Sequence, residues 1–397
     1  MLFQALLASI VVLSNFEGGS VGKVRQVSPT HLLCAVEGQA DQDHRNRQAS
    51  WYYFEIGNLP KQAVTIELVN IAGEYNCRAP AFAVTRNTRP VYSYDGVSWR
   101  HFADDQVSWN EAGPSLVLRF QPEGARMWIA HVQPYTNGHL ASLLDAFRSS
   151  PYLERVSAGR TVEGREMPLL TITNPKTPEA GKRVIWLMFR QHAWEAGSSW
   201  VCDGALRFLL SEDPRAARLR DQTVFKIFPM ADPDGVFHGG VRFNRNGYDL
   251  NRDWDAVDPR TMPEIASQRQ AILEWVDTGH RVDAFLSLHN TERGEYLEAT
   301  PGVRPLGERT LQTLKATTTF NPTEPLADSG STTAPGKPGR MHVAQGLYHE
   351  RKLPAMLMEQ MVEFNSKLGR CPTAMDRMEF GAALVRVLAE AVRGEGE

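Results

Sequence analysis

The chain has 397 residues, long enough for two domains, and its 42% hydrophobic and 22% charged content is that of a globular protein rather than a disordered one. A formal net charge of −3 gives no basis for general nucleic-acid binding. Cys34, Cys77, Cys202 and Cys371 stand far apart without C-x-x-C spacing, so they offer neither a cysteine metal site nor a legible disulfide framework. The opening "MLFQALLASIVVLS" is apolar but too short to span a bilayer. No Lys or Arg precedes Lys23, so the basic start of a signal peptide is missing, and "SIVVLSNF" carries the β-branched residues of an opening strand. A cytoplasmic protein with no membrane partner is expected; a signal segment over residues 1–14 would instead make it secreted.

Residues 50–135 read as β structure. "SWYYFEIGN", "AVTIELVNI", "PVYSYDG", "VSWRHF", "SLVLRFQP" and "RMWIAHV" are short apolar or alternating runs separated by turn formers such as "GNLPK" and "PEGAR". Strands at this spacing predict an antiparallel β-sandwich domain over residues 1–135. After "QPYTNG" the period changes. Helical spacing in "HLASLLDAF", "WVCDGALRFLL" and "ASQRQAILEWV" alternates with the strand-like runs "RVIWLMF", "TVFKIFPM", "VDAFLSLH" and "PAMLME". Such alternation predicts, for residues 136–397, an α/β domain with a mostly parallel sheet and helices on both faces. The Pro-, Gly-, Ser- and Thr-rich stretch 321–340 is expected to be a long mobile loop of the kind that is often functional.

Three of these strands lead into chemistry. "RVIWLMFRQHAWE" reaches His192 and Glu195, "VDAFLSLH" ends in His289, and "PAMLME" ends in Glu359. An isolated strand-end histidine is most often structural. Three converging strands are a rarer accident, because parallel strands place their C-terminal ends side by side, where open α/β sheets bind ligands. Two histidines and a glutamate form a catalytic zinc set with one position open; Glu359 would be a base rather than a ligand. The fourth strand runs into "FPMADPDGVFHGGVRFNRNGYDLNRDWD", where Arg242, Arg245 and Arg252 fall within eleven residues. These are either surface arginines of an irregular loop or a cradle for a carboxylate, which guanidinium binds with two parallel hydrogen bonds.

The ordered set "HAWE … DPDGV … GGVR … GYDLNRDWD … LH … E" resembles the M14 family of zinc carboxypeptidases over roughly residues 135–385, and the N-terminal half resembles the β-sandwich that precedes the catalytic domain in cytosolic carboxypeptidases. The resemblance implies one zinc ion held by His192, Glu195 and His289. It implies Asn251 and Arg252 on the substrate's α-carboxylate, Arg242 polarising the scissile carbonyl, and Glu359 as general base. The activity this implies is hydrolysis of the C-terminal bond of peptides or protein tails, and Arg340, in "GKPGRMHV", which resembles an arginine facing the terminal side chain, points to an acidic (Glu) preference. Two departures stand out: Asp232 where the family shows Asn, and Asn290 where the third-ligand motif carries a glycine. The rival readings are a related zinc deacylase of N-acyl amino acids and a catalytically silent peptide-binding protein.

Overall fold

The computed structural model describes residues 9–44, 46–75, 78–329 and 341–393. Cys77 and Arg340 therefore lie outside the described residues. Two compact units emerge: one runs up to Pro134 and takes in Phe237–Val241, the other comprises Tyr135–Val236 and the chain from Arg242 onward.

The first unit holds two five-stranded sheets. One orders Val11–Leu13, Tyr53–Gly57, Arg126–Ala130, Val91–Ser93 and Arg100–His101, all antiparallel. The other orders Val107–Asn110, Ser115–Phe120, Val64–Val69, His31–Ala35 and Val24–Ser28, and its one parallel pair joins His31–Ala35 to Val64–Val69. Period-2 alternation turns one side of each strand inward. Val64, Ile66 and Leu68 are buried between half-buried Thr65, Glu67 and Val69. They share one core with Leu32 and Cys34 and with Phe54, Ile56, Met127 and Ile129 of the other sheet. Cys34 thus behaves as a small hydrophobe.

The second unit is built on an eight-stranded sheet in the order Leu153–Arg160, Glu166–Ile172, Thr223–Phe228, Arg183–Phe189, Ala284–Thr291, Ala355–Met361, Tyr296–Ala299 and Ala327–Asp328. The four central strands run parallel; the two leading strands pair antiparallel to their neighbours, and Tyr296–Ala299 pairs antiparallel to Ala355–Met361 and parallel to Ala327–Asp328. Central strands covered on both faces need side chains that are apolar on both sides. That is why "RVIWLMF" and "TVFKIF" are continuous runs rather than alternating ones. On one face the helix Ala196–Leu209 packs on the C-terminal helix Ala374–Ala391 through two glycines. A Cβ at Gly204 would sit 2.0 Å from the Met378 carbonyl oxygen, and one at Gly381 would sit 2.0 Å from that of Val201. Among the described residues no helix is long and apolar enough to cross a membrane.

Candidate metal centre and active site

The Arg183–Phe189 strand stops because Arg190 turns into the left-handed region, with φ 59°. That conformation costs about 1 kcal/mol or more for a residue with a Cβ and persists only where packing enforces it. Here the buried guanidinium does so: Nε donates to the Ala193 carbonyl at 2.9 Å, and Nη1 to Ser199 Oγ at 3.0 Å and the Tyr135 carbonyl at 3.3 Å. The locked turn carries His192 and ends at Glu195, the residue before the Ala196–Leu209 helix.

Both side chains are buried, as is His289. The ligand atoms of His192, Glu195 and His289 all lie within 4.8 Å of one another. His192 Nδ1 is 2.6 Å from Glu195 Oε1, and His289 Nδ1 is 3.0 Å from Glu195 Oε2. The far nitrogens face acceptors: His192 Nε2 lies 3.1 Å from Asp249 Oδ1, and His289 Nε2 lies 2.8 Å from Ser287 Oγ. Each Nδ1 therefore looks at a carboxylate oxygen across a gap that only a cation, proton or metal, fills favourably. Burial disfavours the proton at His289, whose pKa is lowered although Glu195 pulls it up. Burial also raises Glu195, but the two histidines together outweigh it and hold the carboxylate below its usual range. An ionised carboxylate and two imidazoles, the imidazoles each orientated from behind, fit zinc.

Asp249 ties the neighbouring groups together. Its Oδ1 takes the His192 contact, and Oδ2 accepts from Arg242 Nε at 2.7 Å. Burial opposes its charge, yet Arg242, Arg252 and His192 keep the carboxyl well below the usual range. Asn251 is buried, its Oδ1 accepting from the Val343 amide at 3.0 Å. Arg252 is half-buried and donates Nη1 to the Asn251 carbonyl at 2.7 Å. Arg245, close in sequence, leaves this group altogether and pairs with Glu163 at 2.8 Å.

His289 and Glu359 are cross-strand partners in the parallel pair Ala284–Thr291 and Ala355–Met361. Both strands run on for two more residues, so these groups sit just inside the strand ends rather than at them. Glu359 Oε2 is buried without a hydrogen-bond partner. Burial first, and the Glu195 charge second, push its carboxyl well above the ordinary value, with Arg242 opposing. The Asn290 substitution turns out to be structural: its Oδ1 accepts from the Ser198 amide at 2.9 Å, and its Nδ2 donates to the Gln360 carbonyl at 3.3 Å. It thereby fastens the His289 strand to the helix behind Glu195, against Gly197, where a Cβ would lie 2.6 Å from Asn290 Oδ1. Sequence reasoning passed over Arg190, Gln191, Asp249 and Ser287. All four stood inside the quoted runs, and Ser287 lies two residues before His289, on the same side of its strand.

A mostly parallel α/β sheet with a buried His-x-x-Glu and distant His cluster, preceded by a β-rich domain, defines a protein of the zinc carboxypeptidase fold. Comparison with known proteins agrees. The zinc carboxypeptidase family profile matches residues 140–296, and that of the cytosolic carboxypeptidase N-terminal domain matches residues 12–132. The chain carries a peptidase M14 domain together with a cytosolic carboxypeptidase N-terminal domain. It is 29% identical over 289 residues to cytosolic carboxypeptidase 6 of Mus musculus, covering 69% of this chain and 52% of the relative. It is 30% identical over 275 residues to cytosolic carboxypeptidase 6 of Caenorhabditis elegans, covering 67% and 59% respectively. The chain thus spans about half the length of the curated relatives it matches. A metallo-carboxypeptidase from Burkholderia cenocepacia is similar over 97% of this chain and 99% of its own, with TM-score 0.82 and 26% identity.

Proposed function

We propose that this protein is a zinc-dependent carboxypeptidase that hydrolyses the C-terminal bond of peptides or protein tails. The observation that carries the reading is the pairing of His289 with Glu359: a buried carboxylate oxygen with no partner stands beside the third member of a His–Glu–His cluster. Zinc held by His192, Glu195 and His289 supplies a Lewis acid for the scissile carbonyl and makes nearby water more acidic. Glu359 takes a proton from that water and returns it to the leaving amine. An added divalent charge opposes the upward pKa shift of Glu359 and favours the carboxylate that can accept the proton. Arg242, anchored through Nε to Asp249, stabilises the developing oxyanion. Arg252 grips the substrate's α-carboxylate and so restricts cleavage to chain ends. With Asn251 Oδ1 committed to Val343, only Asn251 Nδ2 is left for that carboxylate.

A preference for terminal glutamate is the finer part of the proposal. It rests on Arg340 and on the resemblance to the cytosolic carboxypeptidases, after whose name we also place the protein in the cytoplasm. Digestion of a peptide library with all twenty C-terminal residues, read by mass spectrometry, separates the two levels. Faster loss of Glu or Asp supports the full proposal. Faster loss of Phe, Leu, Lys or Arg removes the glutamate preference and keeps the carboxypeptidase. Cleavage of N-acyl amino acids without any of peptides points to the deacylase.

A further inference from the structure

The two metal-facing imidazoles are held from behind by different chemistry. His192 Nε2 faces the Asp249 carboxylate, whereas His289 Nε2 faces the Ser287 hydroxyl at 2.8 Å and Gln191 Oε1 at 3.1 Å. We propose that Gln191 and Ser287 are positioning residues that fix His289 as the Nε2–H tautomer, and that this neutral brace makes His289 a weaker metal donor than His192. The inference rests on the metal-centre reading above.

The proton assignment follows from counting donors. Gln191 Nε2 donates to the Leu250 carbonyl at 2.9 Å, which fixes the orientation of the amide and leaves Oε1 facing Ser287 Oγ at 2.8 Å. Oε1 has no proton to give, so the Ser287 hydroxyl donates to it and keeps only acceptor capacity for His289. His289 Nε2, in contact with two acceptors, must carry the hydrogen. Asn251 Nδ2, 3.4 Å from the same nitrogen, is too distant to compete with the two nearer oxygens. Gln191, Ser287 and His289 are all buried, so bulk water cannot substitute for a missing partner. The remaining lone pair, on Nδ1, points to Glu195, where a metal is needed.

The control lies in Gln191, since the hydroxyl alone can turn either way. Without the Gln191 acceptor, Ser287 is free to donate to His289 Nε2 and so favour the tautomer with Nδ1 blocked by a proton. Without the hydroxyl, Gln191 Oε1 still accepts from Nε2 directly. A carboxylate in place of the hydroxyl would polarise the ring as Asp249 does for His192 and increase its basicity.

The test measures zinc affinity of the metal-stripped full chain by chelator competition, together with imidazole nitrogen shifts in histidine-labelled apoprotein. Wild-type protein should bind one zinc and show His289 as Nε2–H. Gln191→Leu should weaken zinc about 10- to 100-fold, Ser287→Ala by no more than about threefold, and Ser287→Asp should tighten it by about tenfold. The inference is overturned by an Nδ1–H His289 in wild-type apoprotein. It is equally overturned if folded Gln191→Leu binds zinc as tightly as wild type, or if Ser287→Asp weakens binding. Should Gln191→Leu fail to fold, the wild-type tautomer and Ser287→Asp decide. Wild-type protein that binds no zinc overturns the metal-centre reading itself, a result distinct from unchanged affinity among the variants.

Discussion

Asp232→Asn exchanges one oxygen of a buried carboxyl for an amide nitrogen and changes little else. Asp232 Oδ1 accepts from the Gly235 amide at 2.9 Å, a bond that asparagine keeps, and Oδ2 is buried without a partner. Burial, reinforced by Glu264, pushes the carboxyl up to about 8. An unfolded aspartate titrates near ~3.9, so between these values the native state holds a proton that the unfolded chain has released. Stability from this group is complete below the unfolded pKa and drains away as pH rises through the native one, by ~1.4 kcal/mol per unit. At pH 7 the shortfall is about three units, or ~4 kcal/mol. Asparagine has no proton to lose. Its amide hydrogens also suit the negative surroundings that Glu264 and Asp234 give this site. Urea denaturation of both proteins at several pH values isolates the effect, because the other titrations cancel in the difference. The advantage of Asp232→Asn should widen by ~1.4 kcal/mol per unit from pH 5 to pH 7.5 and level off near pH 8. A difference that stays constant, or narrows as pH rises, refutes the assignment of a neutral, buried Asp232.

The remaining predictions concern the metal cluster. His289→Ala should lose bound zinc and activity while keeping the fold, checked by metal analysis and circular dichroism; stoichiometric zinc in this variant would remove His289 from the ligand set. Glu359→Gln preserves shape but accepts no proton at neutral pH, so zinc should stay while kcat falls about 10²- to 10⁴-fold; near-normal turnover would deny Glu359 the role of base. Asp249→Asn takes the charge away from behind His192 and from beside Arg242, and should weaken zinc about 10- to 100-fold in chelator competition.

What the sequence made legible was what burial writes into it. The strand Arg183–Phe189 is buried along nearly its whole length and stands out as an apolar run, as does Ala284–Thr291. The edge strand Leu153–Arg160 did not stand out, because it is mostly exposed and its "LERVSAGR" carries no alternation. Glu166–Ile172 was obscured by Pro168, which a simple pattern reading takes as a break. The helix Pro214–Gln222 is largely polar, with only Ala216, Leu219 and Arg220 buried. At the site, His192, Glu195 and His289 were recognisable as types that bind metal. Their supports were not, because a serine or glutamine reveals its partner only when the chain has folded. Arg245 shows the reverse error: proximity in sequence grouped it with Arg242 and Arg252, while the fold sends it to Glu163.

The central claim is that a chain end is recognised by its charge, and one matched pair of substrates tests it. Two peptides differing only in a free or an amidated C-terminus are incubated with the zinc-loaded full-length protein, and release of the last residue is followed by mass spectrometry. Leaving Arg252 without its anion should cost several kcal/mol of transition-state binding, so the amide should be cleaved at least about a hundredfold more slowly. Equal release from the two peptides would contradict the account.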